Sequence, residues 1–322
     1  MKKEDILTLL RADKGYVSGE KISEVFGVSR TAVWKHINSL KKEGYNIGSV
    51  SSRGYILKNS DVLNETEISN YLRTKKLGKE IVFLPETDST NNMAKRGSDM
   101  ADGTLFIADS QSEGRGRSGK TWLSPEGSGL WMSILLKPNL PPNTLATMTL
   151  VAGLAVTKAL RKITGEKICI KWPNDIVLNN KKLCGILCEM SAEVGRLNYV
   201  VCGIGINVRN KSFPDSIGNV ACSIRSETGK LLLRSVVCAE ILNELEKEYE
   251  TFLNGGIAPL IPEYKKYCIT LGKEVVIIKN DKSYHADAVD INENGELVVQ
   301  TPNGIETLYS GEVSVRGLLG YV

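Results

Sequence analysis

The chain has 322 residues, 42% of them hydrophobic and 24% charged, which fits two or three folded domains; no apolar run is long enough to span a bilayer. Its start, MKKEDILTLLRADKG, carries acids and no signal-type apolar core, so a cytoplasmic location without membrane partners is expected. The seven cysteines at irregular spacings read as reduced, buried thiols, and two histidines, His36 and His285, are too few for a Ser-His-Asp triad or a His-rich metal site.

The net charge of +4 is not spread evenly. Residues 1–62 hold 11 Lys and Arg against 7 Asp and Glu, and the remainder is balanced, which points to a polyanion partner for the N-terminal segment. There, KEDILTLLRAD sets Ile6, Leu9 and Leu10 on one helical face. SGEKISEVFG follows, with Ser18 as N-cap, Ile22, Val25 and Phe26 inward, and Gly27 as the stop. SRTAVWKHINSLKKEG begins at a second N-cap, Ser29, runs through Val33, Ile37 and Leu40, and ends at Gly44. Two helices joined by a tight turn, then the alternating YNIGSVSSRGYIL, make a winged helix-turn-helix. Such a unit offers DNA the N-terminal end of its second helix, here Ser29, Arg30, Thr31 and Lys35, with Arg53 at the wing tip. Trp34 is expected in the core or half-buried against the wing, not as a base-stacking residue. The same residues also fit a protein-docking domain whose cations stay solvated.

From Asp61 the pattern changes to mixed strands and helices. NETEISNYLRTKK is an amphipathic helix, and IVFLPETDSTNNMAKR is a strand turning into a helix near Thr90. GTLFIADSQSEG and GLWMSILLKP are strands, with Trp131 in the core. A long helix opens at Asn143 and closes at Gly165; KICIKWP, DIVLNNKKLCGILCEMS and LNYVVCGIGINV add strands before a second long helix, LLRSVVCAEILNELEKEYETFLNG.

Between the strands lies GRGRSGKTW, Gly114 to Trp122, whose first eight letters spell the phosphate-binding G-x-x-x-x-G-K-[ST]. A true phosphate loop must open a helix. Here Pro125, Gly127 and Gly129 follow at once, at about 3 kcal/mol for an interior proline and about 1 kcal/mol per glycine. No such helix is expected. What remains is a glycine-rich cationic loop of Arg115, Arg117 and Lys120 that ends in a flat aromatic, suited to a carboxylate or phosphate beside a purine.

In order along the chain stand STN (Ser89 to Asn91), GRGRSGKTW, KWPND (Lys171 to Asp175), KKLCGIL (Lys181 to Leu187) and GIGINV (Gly203 to Val208). Together they resemble the biotin–protein ligases, and with the winged helix in front the chain is similar to the bifunctional biotin ligase/repressors of bacteria. The resemblance runs over essentially the whole sequence. It implies an α+β multidomain fold: a winged helix-turn-helix over 1–62, a central mixed α/β catalytic layer of the biotin/lipoate ligase type over 63–269, and a C-terminal SH3-like β-barrel over 270–322, where Asn294-Gly295 and Asn303-Gly304 mark hairpins. Trp172 and His285 are expected to be structural.

The resemblance also implies a reaction: biotin and ATP, with Mg2+, give biotinyl-5′-AMP, and the biotinyl group passes to a lysine of a biotin carboxyl carrier protein. Ser89, Thr90, Asn91 and Gln111, with Gly114 and Arg115, would bind biotin; Gly185, Gly203 and Gly205 would let strands pass close to it. Lys182, Arg115, Arg117 and Asp175 would carry the chemistry, and Arg117, Trp122, Asn174, Asn207 and Arg316 would meet ATP, Trp122 stacking on adenine. No residue is assigned as a metal ligand. Operator DNA and a ligand-promoted homodimer complete the implied partners. On the residues alone, Ser89 to Asn91 equally fit helix capping, and Gly203 and Gly205 equally fit tight strand packing. A non-catalytic biotin-sensing repressor and a lipoate-type ligase are the alternatives; Arg115, Arg117 and Lys182 speak against the first, and KWPND with the loop against the second.

Overall fold

The computed structural model describes residues 2–13, 15–58, 61–140, 147–193, 196–279, 282–310 and 314–317. Two units emerge: Met1–Asn70 with Leu233–Ser235, and Tyr71–Leu232 with Val236–Val322.

The first unit is built by local signals. Helices α1 (Lys3–Ala12), α2 (Gly19–Phe26) and α3 (Arg30–Lys42) precede a hairpin of β1 (Ile47–Val50) and β2 (Gly54–Leu57). The Ser18 and Ser29 hydroxyls accept from the backbone N–H of Lys21 (3.0 Å) and Ala32 (3.2 Å), so both N-caps form as expected. Gly27 ends α2 at φ +64°, the left-handed geometry that turns the chain into α3. Ile6, Leu10, Ile22, Val33, Ile37 and Leu40 form one buried cluster. Val17 and Tyr55 exchange two 2.8 Å backbone bonds that tie the wing to the helices. Gly54 has φ +100°, and a Cβ there would lie 2.2 Å from the Val17 carbonyl, so only glycine fits where the wing leaves its turn.

Two expectations for this unit are corrected. Val25 and Trp34 were assigned inward, yet both are 56% exposed. Ile22 and Phe26 lie four apart and take the inward stripe of α2, leaving Val25 on its flank. In α3 the buried stripe is Val33, Ile37 and Leu40, and Trp34 stands one residue, about 100°, round from it.

A short helix, α4 (Glu65–Ser69), closes this unit, with the Asn64 side chain capping the Glu67 N–H at 2.9 Å. In the second unit, β3 (Ile81–Thr87), α5 (Thr90–Arg96), β4 (Leu105–Gln111) and β5 (Gly129–Leu136) lead to the long α6 (Met148–Thr164). Strands β6 (Cys169–Lys171), β7 (Asp175–Leu178), β8 (Lys181–Glu193) and β9 (Arg196–Asn207) follow, then the short α7 (Asp215–Gly218) and α8 (Ile224–Thr228), the long α9 (Arg234–Gly255), and α10 (Ile261–Tyr267). The sheet order is β3-β4-β5-β9-β8-β7-β6, with β3 and β4 parallel and the other pairs antiparallel. Asn143, the expected start of α6, lies outside the described residues; its expected end is confirmed by Gly165 at φ +73°.

The helix expected over NETEISNYLRTKK stops at Ser69. The backbone N–H groups of Lys75, Lys76 and Leu77 instead donate to the Glu246 carboxylate on α9, at 2.6, 2.7 and 2.9 Å. Further along, β10 (Glu274–Lys279), β11 (Lys282–Ile291), β12 (Leu297–Thr301), β13 (Gly304–Leu308) and β14 (Ser314–Gly317) form an antiparallel sheet in the order β13-β12-β11-β10-β14, the SH3-like element. Both glycine hairpins form, Gly295 at φ +80° and Gly304 at φ +119°. The Gly295 turn packs on α6, and its carbonyl accepts the Trp172 indole N–H at 3.2 Å, which makes Trp172 structural as expected.

Candidate functional site

The site grows from strand alternation. Side chains of β5, β9 and β8 point alternately to the two sheet faces. Ile204, Ile206 and Ile186 are buried, while the register pairs Trp131 and Gly185 with Gly205, and Ser133 and Leu187 with Gly203. Three glycines therefore interrupt the side-chain cover of one face and leave a bare floor. Around it stand the start of α5 with Ser89 and Thr90, the end of β4 with Gln111, the loop residues Arg115, Arg117 and Trp122, and then Asn174 and Lys182; all of them, with Asn91, line one cleft.

One end of the cleft offers neutral hydrogen-bonding groups. Ser89 occupies the N-cap position of α5, but its hydroxyl makes no capping bond, so capping does not account for it. The Thr90 N–H donates to the Gln111 side-chain oxygen (2.8 Å), and the Gln111 amide donates to the Ser124 hydroxyl (2.7 Å). Asn91 is tied down by Ser133, Leu187 and Glu189. A Cβ at Gly203 would fall 2.0 Å from the Asn91 side-chain oxygen, so this glycine makes room for Asn91. Just before α5, hydrogen bonds from Arg96 hold the Asp88 carboxyl well below the usual carboxylate range.

The stretch from Gly114 to Trp122 is a hairpin, closed by Trp122 N–H to Gly114 carbonyl (2.8 Å) and Gly116 N–H to Lys120 carbonyl (2.7 Å). Its tip, Arg117–Gly119, is a single 3-10 turn with Ser118 at φ +55°. No helix follows Thr121, so the phosphate-loop spelling has no counterpart in the backbone. A Cβ at Gly114 would lie 2.3 Å from the Trp122 carbonyl, which makes glycine obligatory at that crossing.

The opposite end is charged. The Lys182 ammonium lies 2.7 Å from the Asp175 carboxylate, and Asp175 also accepts from the Asn174 amide (3.1 Å). A bulge between β7 and β8 pairs Val177 with Lys182 and carries this lysine out of regular register. Arg117 donates to the Asn174 side-chain oxygen (3.0 Å) and to the Ser310 carbonyl; burial lowers its pKa, and the Asp175 charge opposes that. The Arg115 side chain stands instead toward the α5 end, where it donates to the Asn92 side-chain oxygen (3.2 Å) and lies 3.7 Å from Glu189.

Trp122 bridges the two ends. Its indole lies over the glycine floor, where Cβ atoms at Gly185 and Gly205 would come within 2.9 and 2.7 Å of its ring. It meets the buried Trp131 edge-on at 6.4 Å, and the Lys182 ammonium lies 5.2 Å from its centroid. The indole N–H is buried with no partner among the described residues. Two expected residues stand apart. Asn207 lies outside the cleft lining and donates to the Cys222 carbonyl at 3.0 Å. The backbone of Arg316 is in β14, but its side chain lies outside the described residues.

Sequence reasoning missed Ser133 and Glu189. Ser133 is fully buried in an otherwise apolar strand, GLWMSILL, and Glu189 interrupts GILCEMS. A polar side chain inside an apolar strand was the available signal. Among the described residues no group of three or more His, Cys, Asp and Glu side chains could hold a metal ion, and no helix is long and apolar enough to cross a membrane.

In the first unit, Arg30, Thr31 and Lys35 are exposed on the N-terminal half of α3, and Ser29 caps it. The Arg53 guanidinium stands 6.0 Å from the Tyr16 ring centroid, in the turn of the wing. Trp34 shares the exposed surface of α3.

Comparison with known proteins agrees in every segment. An HTH domain matches residues 2–56, the Biotin/lipoate A/B protein ligase family matches 83–207, and the Biotin protein ligase C terminal domain matches 270–316. The Bifunctional ligase/repressor BirA of Bacillus spizizenii is 36% identical over 319 residues, 97% of this chain and 98% of the relative. The protein of the same description from Escherichia coli is 32% identical over 96% of each chain. Among solved structures, the biotin protein ligase from Aquifex aeolicus in complex with biotin and ATP superposes with a TM-score of 0.67 at 33% identity, covering 74% of this chain and 99% of that one. Catalytic layer, C-terminal sheet and helix-turn-helix together place this chain in the biotin–protein ligase family, in the branch of bifunctional ligase/repressors.

Proposed function

We propose that the chain is an ATP-dependent biotin–protein ligase of the cytoplasm that also represses transcription from operator DNA. The carrying observation is the polarity of the cleft: neutral donors and acceptors at one end, Lys182, Arg117, Asn174 and Asp175 at the other, and a glycine floor between. Biotin has the matching shape, with a neutral cyclic urea, an apolar body and a carboxylate. Its urea is read by Ser89, Thr90, Gln111, Gly114 and Arg115, its body lies along Gly185 and Gly205, and its carboxylate reaches Lys182.

The carboxylate is ionised at neutral pH and needs no general base. The work of the site is to hold two anions together and to stabilise charge at phosphorus. One carboxylate oxygen bonds to the α-phosphorus of ATP while the bond to the bridging oxygen breaks, and pyrophosphate leaves with those electrons. Lys182 and Arg117 face this charge, and Arg115 neutralises the carboxylate as it approaches. The neutral amine of a carrier lysine then attacks the acyl carbon, AMP departs, and the amine's extra proton passes to water. Asp175 keeps Lys182 oriented and receives the incoming lysine. Trp122 leaves the floor as biotin enters and takes the adenine face, with Asn174 on the nucleotide. Were Mg2+ bound with ATP, Asp175 would offer it an oxygen ligand, and the ion would supply further neutralisation of the phosphate charge.

The domains we assign are 1–62 for DNA, 63–269 for catalysis and 270–322 for the SH3-like element. Ligand binding favours a homodimer, and two winged helices then engage two half-sites, coupled to the extent that biotinyl-AMP prefers the dimer. Incubation with biotin, ATP, Mg2+ and a biotin carrier domain should add one biotinyl group to a carrier lysine, read by mass. A folded preparation that transfers none would overturn the assignment. A gel shift with and without biotin and ATP tests the repressor half.

A further inference from the structure

Thr90 is anchored by more than the helix that carries it. Its hydroxyl lies 2.8 Å from that of Ser133, and the Ser133 hydroxyl lies 2.6 Å from the Asn91 side-chain oxygen. The Asn91 amide donates to the Glu189 carboxylate (2.8 Å) and to the Leu187 carbonyl (3.2 Å). Lys95 donates to the other Glu189 oxygen at 2.7 Å. Ser133 is fully buried and Thr90 and Asn91 nearly so, which leaves these groups to satisfy one another.

Counting protons gives the chain a direction. An Asn91 oxygen turned toward Glu189 would face a carboxylate, so Asn91 points its NH2 there and its oxygen at Ser133. That oxygen has no proton to give, and Ser133 has one hydroxyl proton, which therefore goes to Asn91. The Ser133 oxygen is left as an acceptor. The Thr90 proton is drawn inward, to Ser133 or to the Gln111 side-chain oxygen 3.2 Å away. Thr90 is left to offer the cleft a lone pair.

We propose that Glu189, Asn91 and Ser133 are positioning residues, a relay that holds Thr90 as a hydrogen-bond acceptor and selects ligands carrying an N–H donor over carboxylates of similar length that lack one. This rests on the biotin reading above, in which the donor is a urea N–H. It also gives Gly203 its role: any side chain there would displace Asn91 and break the relay.

The test compares biotin with biotin methylated at one or the other urea nitrogen, using the full-length wild type, Ser133→Ala and Glu189→Gln. In wild type, one of the methylated ligands should be strongly disfavoured. Ser133→Ala removes the nearer inward acceptor, at 2.8 Å, and leaves the Thr90 hydroxyl only the longer 3.2 Å contact to Gln111, so it is held inward less firmly. The KM for biotin should rise up to about 5- to 10-fold, the loss of one oriented hydrogen bond, while kcat and the KM for ATP move less than twofold. The preference for biotin over that methylated ligand should shrink by a similar factor. Glu189→Gln should act in the same direction, because a neutral partner tolerates either orientation of the Asn91 amide; it carries the test if Ser133→Ala melts at working temperature. A merely structural role would weaken both ligands equally, and an unchanged preference in the folded variants overturns the relay. Wild-type protein that forms no adenylate from biotin would instead sink the ligase reading.

Discussion

Lys182→Ala tests the chemistry most directly. The backbone of Lys182 is held on both sides, its N–H by the Val220 carbonyl (2.7 Å) and its carbonyl by the Cys222 N–H (2.9 Å), so truncation removes the charge without releasing the strand. An ammonium about 4 Å from negative charge building at phosphorus interacts by about 4 kcal/mol at an effective dielectric of about 20. Arg117 remains and retains part of this, whereas Asp175, no longer paired with Lys182, repels both anions. The balance is a fall of about 10²- to 10³-fold in kcat/KM for adenylate formation, read as pyrophosphate release with biotin and ATP. The melting temperature should hold within a degree or two, since the side chain is partly exposed. Turnover within tenfold of wild type, in a variant with a wild-type melting curve, would remove Lys182 from the mechanism. Lys182→Arg keeps the charge but changes its shape, and recovery to an intermediate rate is expected.

Three further outcomes follow from the same geometry. Gly203→Ala forces a Cβ to 2.0 Å from the pinned Asn91 oxygen; a cost of about 1–3 kcal/mol, or several degrees by calorimetry, should accompany weaker biotin binding, and normal values for both would contradict the packing. Burial raises the pKa of Glu189, but hydrogen bonds from Lys95 and Asn91 outweigh it and leave the group below its ordinary 4.5. Its contribution is thus fully present above that value and fades as pH falls through the lowered one, so Glu189→Gln should be less stable than wild type at neutral pH and converge with it in acid; parallel curves would refute this. Arg30→Ala should weaken operator binding, and loss of a phosphate contact should lower the salt slope by about 1 while loss of a base contact relaxes specificity; unchanged binding by anisotropy would displace Arg30 from the interface.

Much of this was legible because it depends on neighbours in sequence. The caps Ser18 and Ser29, the stop at Gly27 and the glycine hairpins at Gly295 and Gly304 are local chemistry, and all form as read. The phosphate-loop spelling also failed for a local reason, the proline and glycines that follow it. The five ordered motifs were enough to state the family. What sequence periodicity does not contain is the identity of the neighbour. It marked a stripe on α2 and α3 but not its edge, so Val25 and Trp34 were placed inside and lie outside. It extended a helix through residues 70–76 because Glu246, which draws the Lys75 and Lys76 N–H groups away, is some 170 positions further along.

The cleft shows the same divide. Residue types alone announced cations, a flat aromatic and glycines. Only the register of β5 against β9 sets Ser133 opposite Gly203, and only the missing Cβ of Gly203 lets Asn91 in to receive the Ser133 proton. Likewise, tertiary packing lays Trp122 over Gly185 and Gly205 and turns Asn207 toward Cys222 instead of the cleft. Caps, turns and strand alternation are short-range and can be read from the letters. The direction of a buried hydrogen bond depends on protons and oxygens brought together from distant strands, and it exists only once the sheet has closed.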